Sequence, residues 1–300
     1  MSNKNAFYAQ SGGVTAVINA TACGVIETAR RNKQHIAKVY AGCHGILGAL
    51  NEELIDTSLE TPKTIAQLRF SPGGAFGSCR YKLKSVADNQ AEYQRLLEVF
   101  KAHNIGYFFY NGGGDSQDTT HKLEVFSKKQ GYPLTCIGLP KTIDNDLPFT
   151  DNSPGFGSVA KYVAISTREA GLDVASMAAS STKVFIMEVM GRHTGWIAAA
   201  SGLATETKGQ PPHIILFPEI VFQEDVFLAR VEQTVARYGY CVIVLAEGIR
   251  NSEQQFLAET GGIDAFGNKQ LGGAAPVIAQ KIKEKLGFKY HWALPDYLQR

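Results

Sequence analysis

Short runs of apolar residues alternate along the chain with longer segments of helical periodicity. Tyr93, Leu96 and Phe100 recur three or four residues apart, as expected for one face of a helix. They predict a helix over Glu92–His103, and a second long helix is predicted over Val14–Arg31. Strands that alternate with helices usually build a parallel sheet covered by helices, so the pattern predicts an α/β fold. The apolar runs predict strands at Ala6–Ala9, Ile36–Ala41, Tyr107–Tyr110, Leu134–Leu139, Lys183–Val189, His213–Phe217 and Tyr240–Ala246.

Four of the predicted strands end directly in glycine-rich or charged sequence. Ligands of open α/β sheets bind at the carboxyl ends of the strands. We therefore expect these four segments to converge on one crevice. They are Ser11–Gly13, Asn111–Ser116, Pro140–Asp146 and Met190–Arg192.

Glycine turns follow the first and the third of the predicted strands. Ser11–Gly13 and Gly112–Gly114 each stand between a strand and a helix, where backbone N–H groups can bind an anion. Each segment alone is more often a simple tight turn than a ligand-binding loop. Neither is a GxGxxG or a GxxxxGK[ST] motif, which disfavours the usual dinucleotide and P-loop sites. Ser78 and Arg80 form a third small-residue turn, and Arg80 is either a phosphate ligand or a solvated surface arginine.

The segment Pro140–Asp146, with the sequence PKTIDND, carries the most chemistry. It places a cation, a hydroxyl and two carboxylates directly after an apolar strand. Phosphoryl transfer to an alcohol needs a base, oxygen ligands for Mg²⁺ and cations along the transferred group. Asp144 and Asp146 could divide the first two tasks. The alternative is an Asx-rich turn with exposed charges.

Composition and charge exclude several classes of protein. Hydrophobic residues make up 44% and charged residues 19% of the 300 residues, which is typical of a folded protein of about two domains. The net charge of +2 provides no electrostatic footprint for nucleic acid or a membrane surface. Without a spanning segment or a signal sequence, a cytoplasmic location is expected. The five cysteines, odd in number and without CxxC spacing, are expected to be reduced.

Several of these motifs together resemble those of the phosphofructokinase family. PKTIDND is similar to the signature of that family, and Met190–Trp196 resembles its sugar-phosphate motif. Gly112–Ser116 resembles its glycine-rich donor loop, and Ser11–Gly13 with Asn19 resembles its N-terminal phosphate turn. The motifs occur in the order of the family, so the resemblance covers essentially the whole chain.

The resemblance implies the phosphofructokinase fold, with two Rossmann-like three-layer domains and mostly parallel sheets. Residues 1–147 would form the phosphoryl-donor domain and residues 148–290 the sugar-phosphate domain, with the active site in the cleft between them. Residues 291–300 would return toward the first domain. The chain stops at Arg300, inside a stretch that family members continue, which suggests a truncation.

The resemblance also implies an activity, which is reversible phosphoryl transfer to O1 of fructose 6-phosphate. Asp144 would take the proton from the C1 hydroxyl, Thr142 would donate to the transferring group, and Arg192 would stabilise its charge. Lys141 completes the implied catalytic set. The implied sugar-phosphate ligands are Thr142, Asp144, Asp146, Lys183, Met190, Gly191, Arg192, Glu247, Tyr297 and Arg300. Lys183 stands where many members have an arginine that reaches into a neighbouring subunit, which implies a homodimer or homotetramer.

Two positions indicate the phosphoryl donor. Members of the family that use ATP carry glycine at the positions of Lys141 and Asp115, whereas members that use pyrophosphate carry lysine and aspartate. An aspartate would repel the α-phosphate of a nucleotide, and Lys141 would supply charge to a compact inorganic donor. The implied donor is therefore pyrophosphate, bound by Gly12, Gly13, Arg80, Gly113, Gly114, Asp115, Ser116 and Lys141.

The implied cofactor is Mg²⁺. Gly114 occupies the position where the donor loop usually carries an aspartate for the metal, so Asp115 and Asp146 are the implied ligands. Two other functions stay open. The first is a kinase of the same family that uses ATP. The second is a non-catalytic subunit that binds the sugar phosphate, which Gly114 and the end of the chain at Arg300 favour.

Overall fold

A computed structural model of the chain describes residues 3–263 and 269–300. The chain divides into two units, Met1–Thr142 and Ile143–Arg300. This division falls inside PKTIDND, five residues before the predicted boundary. Backbone and side-chain hydrogen bonds tie Lys141 to residues of the first unit, whereas Asp144 and Asn145 bond to residues of the second.

The first unit is built on a five-stranded sheet. The sheet has the order β3-β2-β1-β4-β5, and all neighbours are parallel except β2 and β3. Its strands are β1 Lys4–Gln10, β2 Ile36–Gly42, β3 Leu54–Asp56, β4 Ile105–Gly112 and β5 Thr135–Pro140. Its helices are α1 Ile18–Arg31, α2 Ile46–Asn51, α3 Pro62–Gln67, α4 Gln90–Ala102 and α5 Gly114–Lys129.

Alternation along β1 creates a core on each face of this sheet. Phe7 packs in one cluster with Phe100 of α4, while Tyr8 packs in the other with Ile26 of α1. Successive side chains of a strand point to opposite faces, so helices are needed on both sides. The result is the predicted three-layer unit, with the carboxyl ends of the parallel strands β1, β4 and β5 at one edge.

The second unit repeats this architecture with a smaller parallel sheet. The sheet has the order β11-β6-β8-β7, and a separate antiparallel pair is formed by β9 and β10. Apolar clusters lie on both of its faces. The strands are β6 Val184–Val189, β7 Ile214–Leu216, β8 Cys241–Ala246, β9 Glu259–Ile263, β10 Lys269–Leu271 and β11 Tyr290–Ala293. The helices are α6 Phe156–Met177, α7 Trp196–Ala200, α8 Glu224–Tyr238 and α9 Ala274–Leu286.

The last ten residues, which the sequence predicts to return toward the first domain, are grouped with the second unit. Strand β11 pairs in parallel with β6, with His291 opposite Phe185, and the following turn Asp296–Gln299 belongs to the same unit. Residues 291–300 are therefore part of the second unit's own structure, because their backbone hydrogen bonds complete its sheet. In the part of the chain that the structure describes, no helix is long and apolar enough to span a membrane. All five cysteines are free thiols, as predicted.

His213, just before β7, is held by two hydrogen bonds, and the one that its Nδ1 accepts requires the neutral ring. The Val242 N–H donates to His213 Nδ1 at 2.9 Å, and Nε2 lies 3.2 Å from the Gly209 carbonyl, to which it donates. Burial lowers the pKa of His213 below its ordinary value. Its neutral form therefore contributes stability fully above about pH 6.5, and the contribution is lost as the pH falls through the lower folded-state pKa.

We expect His213→Phe to destabilise the protein in a pH-dependent way. At pH 7.5 the loss is about 1–3 kcal/mol, because the Val242 N–H is left without its acceptor. At pH 5 the difference in the free energy of unfolding is smaller, because the wild-type ring must stay uncharged in the folded state while it is protonated in the unfolded chain. Urea unfolding at both pH values measures this destabilisation, and His35→Phe at an exposed histidine is the matched control. Equal destabilisation by His213→Phe at the two pH values would contradict the assignment.

Candidate functional site

The turn after β1 is joined to the segment that carries Arg80. Gly12 has a φ of +75°, a conformation that glycine adopts without strain. Its N–H donates to the Cys79 carbonyl at 2.9 Å, and the Ser78 hydroxyl donates to the Gly12 carbonyl at 2.7 Å. The predicted first and third turns therefore lie side by side, and Arg80 follows with an exposed side chain.

The second glycine turn begins helix α5. Gly113 is the N-cap residue, no side chain caps the helix, and the Ser11 N–H donates to the Asn111 carbonyl at 2.9 Å. The uncapped N–H groups and the helix dipole favour an anion at this end. Asp115 lies in the first helical turn and pairs with Lys82 at 2.9 Å. Sequence reasoning missed Lys82, although it stands only two residues after Arg80.

Lys141 connects the two glycine turns. Its backbone N–H donates to the Gly112 carbonyl at 3.0 Å, and its ammonium donates to the Gly13 carbonyl at 2.5 Å. Only 6% of the residue is exposed. A Cβ on Gly12 would lie 3.2 Å from Lys141 Nζ, so the absence of a side chain there leaves the ammonium room. These contacts join the turn after β1, the segment before Arg80 and the turn after β4 within the first unit.

Asn19 binds the backbone of the loop that precedes Ser78 and Arg80. The residue is buried in α1, and its amide group donates to the carbonyls of Ser71 and Gly73, each at 2.9 Å. Its Oδ1 accepts from the Ala75 N–H at 2.9 Å. Asn19 therefore holds the loop that leads to Ser78, and its role is to fix the backbone of the third turn.

In the second unit, the turn after β6 packs closely against the turn after β8. Gly191 has a φ of +126°, and a Cβ there would lie 2.5 Å from the Thr194 carbonyl oxygen. A Cβ on Gly248 would lie 1.9 Å from the Arg192 carbonyl oxygen. Both positions require glycine, because backbone atoms occupy the space of a side chain. Sequence reasoning identified Gly191 and missed Gly248.

This packing places Glu247 among the predicted sugar-phosphate ligands. Burial raises the pKa of the Glu247 carboxyl above its ordinary value, and the Asp296 carboxylate adds to the increase. The Arg192 guanidinium, a hydrogen bond from the Gly191 N–H and the Arg300 guanidinium only partly offset it. The Arg300 guanidinium lies 4.6 Å from the centre of the Tyr297 ring, a cation–π contact on an exposed tyrosine. Met190 is half-buried beside this group.

The two aspartates of PKTIDND flank a buried residue that sequence reasoning missed. Asn145 has a φ of +58°, its Oδ1 accepts from the Ser153 N–H at 2.7 Å, and its amide group donates to the Asp151 carbonyl at 3.2 Å. These bonds hold the loop, so that Asp144 is half-buried while Asp146 is exposed. The Thr194 hydroxyl donates to the Asp144 backbone carbonyl at 3.0 Å, which joins the loop to the turn after β6.

Gln299 is a second polar residue that sequence reasoning missed. Only 3% of it is exposed, its Oε1 accepts from the Met190 N–H at 3.2 Å, and its amide group donates to the Asp296 carbonyl at 3.2 Å. It joins the turn that carries Tyr297 and Arg300 to the start of Met190–Arg192. No local pattern indicates this, since the two partners are 109 residues apart.

One predicted residue, Lys183, lies away from these groups. Lys183 lies at the opposite end of β6 from Met190, roughly 20 Å away at about 3.3 Å per residue. Its ammonium donates to the Ala178 carbonyl just after α6. Thr142 is half-buried at the end of the first unit.

The carboxylates suit a metal that arrives with a phosphate ligand. In the described residues, no cluster of three or more histidine, cysteine, aspartate or glutamate side chains forms a complete metal site. Mg²⁺ in phosphoryl-transfer proteins is usually held by one or two carboxylates, with water and substrate oxygens completing the shell. Asp115, in the first unit, and Asp146, in the second, are each exposed carboxylates.

Comparison with known proteins gives consistent matches over the whole chain. The family model for phosphofructokinase (PFK) matches residues 5–300. A pyrophosphate–fructose 6-phosphate 1-phosphotransferase of Halomonas elongata is 64% identical over 300 residues, which are 100% of this chain and 72% of that protein. The protein of the same name from Methylococcus capsulatus is 62% identical, over 100% of this chain and 71% of its own length.

A solved structure agrees in fold and in sequence. The pyrophosphate-dependent phosphofructokinase from Marinobacter aquaeolei superposes with a TM-score of 0.88 at 61% sequence identity. The match covers 99% of this chain and 69% of that one.

Proposed function

Because the chain belongs to the phosphofructokinase family, we propose that it transfers a phosphoryl group reversibly from pyrophosphate to O1 of fructose 6-phosphate. The products are fructose 1,6-bisphosphate and phosphate. The observation that carries the choice of donor is the position of Lys141, whose buried ammonium lies against the Gly13 carbonyl between two glycine turns. A compact, highly charged anion suits such a site, and the names of the similar proteins agree with this choice.

The first unit would bind pyrophosphate. Backbone N–H groups of the turns at Gly12–Gly13 and Gly113–Ser116 would donate to its oxygens, and Lys141 and Arg80 would balance its charge. Asp115 would disfavour nucleotides, because its carboxylate would repel the additional phosphate group, although its exposure to solvent reduces this repulsion. Its ion pair with Lys82 keeps the carboxylate at the start of α5.

The second unit would bind the sugar phosphate. Glu247 would accept hydrogen bonds from sugar hydroxyls, and Arg300, held over the Tyr297 ring, would bind the 6-phosphate. Met190 and Gly191 would contact the sugar beside them. The close packing at Gly191 and Gly248 supports this, because it keeps Arg192 and Glu247 in one fixed arrangement.

Residues of PKTIDND would perform the chemistry with Arg192. Asp144 would remove the proton from the C1 hydroxyl, Thr142 would donate a hydrogen bond to the transferring group, and Arg192 would stabilise its charge. We propose Asp115 and Asp146 as the ligands of Mg²⁺. When bound, Mg²⁺ supplies charge neutralisation for the phosphate oxygens.

We also propose a homodimer or homotetramer in the cytoplasm. Lys183 would reach the sugar phosphate bound by a neighbouring subunit. This proposal is supported by the position of Lys183 at the end of β6 opposite Met190. From there, Lys183 is better placed to bind a ligand of another subunit than one bound beside Met190 of its own chain.

A side-by-side assay with the two donors tests the proposed function. With fructose 6-phosphate and Mg²⁺, we expect turnover with pyrophosphate and a kcat/KM at least about 100-fold lower with ATP, a difference of about 2.7 kcal/mol. The reverse reaction should consume phosphate and fructose 1,6-bisphosphate. Turnover with ATP alone would establish the ATP-dependent alternative. Binding of fructose 6-phosphate without turnover on either donor would establish the non-catalytic one.

Gln299→Met should weaken sugar-phosphate binding more than it slows turnover. The substitution removes the acceptor for the Met190 N–H at nearly constant volume. Loss of one such hydrogen bond predicts a KM for fructose 6-phosphate about two- to tenfold higher, with kcat changed less. Steady-state kinetics measure both constants, and Gln280→Met on the exposed face of α9 is the matched control. An unchanged KM in Gln299→Met would refute the positioning role.

A further inference from the structure

His193, which directly follows Arg192 in the proposed acceptor site, has a defined ring tautomer. Arg250 Nη2 lies 3.1 Å from His193 Nδ1. A guanidinium is always a donor, so Nδ1 must be the acceptor and the ring proton must lie on Nε2. His193 is thus a neutral imidazole with its hydrogen-bond donor on the side away from Arg250.

The position of Arg250 is fixed from both sides. Its guanidinium lies 4.4 Å from the centre of the Phe256 ring, and the two residues also pair in an antiparallel backbone bridge. The Arg250 carbonyl accepts from the Phe222 N–H at 2.8 Å. The His193 ring lies 6.1 Å from the Phe256 ring. Because the backbone and the ring both hold Arg250, the tautomer of His193 is set by the fold.

The surroundings of His193 indicate what its donor would bind. In the described residues, Nε2 makes no recorded hydrogen bond, and the side chain is exposed. Burial of part of the ring and the charges of Arg250 and Arg192 lower the pKa of His193, while the Asp146 carboxylate raises it. His193 follows Arg192 in the chain and accepts from Arg250, so its neutral N–H donor suits an anionic oxygen, which the positive charges would attract and the N–H would bind directly.

We propose, on the basis of the function proposed above, that His193 Nε2–H binds an oxygen of the phosphoryl group in transfer and that Arg250 is the positioning residue that sets its tautomer. The group would be recognised as the terminal phosphoryl of pyrophosphate in one direction and as the 1-phosphate of fructose 1,6-bisphosphate in the other. Fructose 6-phosphate lacks this group, so its binding does not involve His193.

Two substitutions of His193 separate this role from a structural one. Glutamine places its amide near the position of Nε2 and keeps the donor, whereas asparagine places its amide oxygen near Nδ1 and keeps only the acceptor for Arg250. We expect His193→Gln to lower kcat about threefold and His193→Asn to lower it about 50-fold, since a hydrogen bond to a charged group is lost. A merely structural role predicts the opposite order, because His193→Asn preserves the bond to Arg250.

Binding measurements identify which phosphate is contacted. By calorimetry, the Kd of fructose 6-phosphate should change less than twofold in His193→Asn, while the Kd of fructose 1,6-bisphosphate should rise about tenfold or more. A weaker Kd for fructose 6-phosphate would assign His193 to the 6-phosphate and overturn the proposal. Equal kcat values in the two variants would also overturn it.

The tautomer is tested without turnover. Long-range ¹H–¹⁵N spectra should show the proton of His193 on Nε2 in the wild type and a mixture of tautomers in Arg250→Met. A wild-type proton on Nδ1 would overturn the proposal. If the wild type fails to turn over with pyrophosphate, the proposed function fails, whereas an altered order among the variants of an active enzyme refutes only the role of His193.

Discussion

Asp144→Asn is expected to lower kcat by about two to four orders of magnitude while the Kd of fructose 6-phosphate changes little. An amide has nearly the shape of the carboxylate but cannot accept the proton of the C1 hydroxyl. The loop should keep its conformation, because Thr194 bonds to the backbone carbonyl of Asp144 and Asn145 holds the following turn. Steady-state kinetics with pyrophosphate and calorimetry with fructose 6-phosphate measure the two quantities.

Asp151→Asn is the matched control for this change. Asp151 is exposed on the same loop, and its recorded contact with Asn145 uses only its backbone carbonyl. The control should keep wild-type kinetics. If Asp144→Asn retained kcat within tenfold of the wild type, the base would have to be another residue.

The double variant Lys141→Gly with Asp115→Gly should reverse the preference for the donor. Removal of the buried ammonium beside Gly13 takes away the charge that balances pyrophosphate, and kcat/KM for this donor should fall about 100- to 1,000-fold. Removal of the carboxylate at the start of α5 relieves its repulsion of a nucleotide phosphate, so kcat/KM for ATP should rise. The ratio of the two values is the quantity to measure, together with the thermal midpoint of unfolding.

A second lysine and aspartate pair on α5 provides the control. Lys122 and Asp118 form an exposed ion pair, and Lys122→Gly with Asp118→Gly makes the same change of residue types away from the glycine turns. This control should leave the donor ratio unchanged. An unchanged ratio in the first double variant would show that Lys141 and Asp115 do not select the donor.

The sequence predicted the interior strands and the edge strands β5 and β7 to within about two residues, but it missed the short edge strands β3 and β11. The predicted strand Ile36–Ala41 ends one residue short of β2, and Tyr107–Tyr110 lies inside β4. These strands are buried in the sheet, so their apolar runs are visible in the sequence. Strand β11 was missed because it is a short edge strand in which His291 and Trp292 are exposed. Helix α1 begins at Ile18 rather than Val14, because the residues before it belong to the turn.

The sequence also predicted some residues of the candidate site and missed others. Gly12, Lys141, Asp144 and Arg192 stand in short motifs directly after strands, and local order along the chain was enough to identify them. Asn145, Gly248 and Gln299 were missed, because each acts on a backbone group that the sequence does not mark as its partner.

By itself, the sequence determined the α/β class, the strands that end in glycine-rich or charged turns and the residue types available for phosphoryl transfer. These properties depend on side-chain periodicity and on motifs of a few residues, which are local. Only the tertiary structure decided that Lys141 reaches Gly13 across 128 residues, that Gln299 holds Met190 and that Arg250 sets the tautomer of His193. Such contacts form when the sheet brings strand ends together, so their partners are neighbours in space and not in sequence.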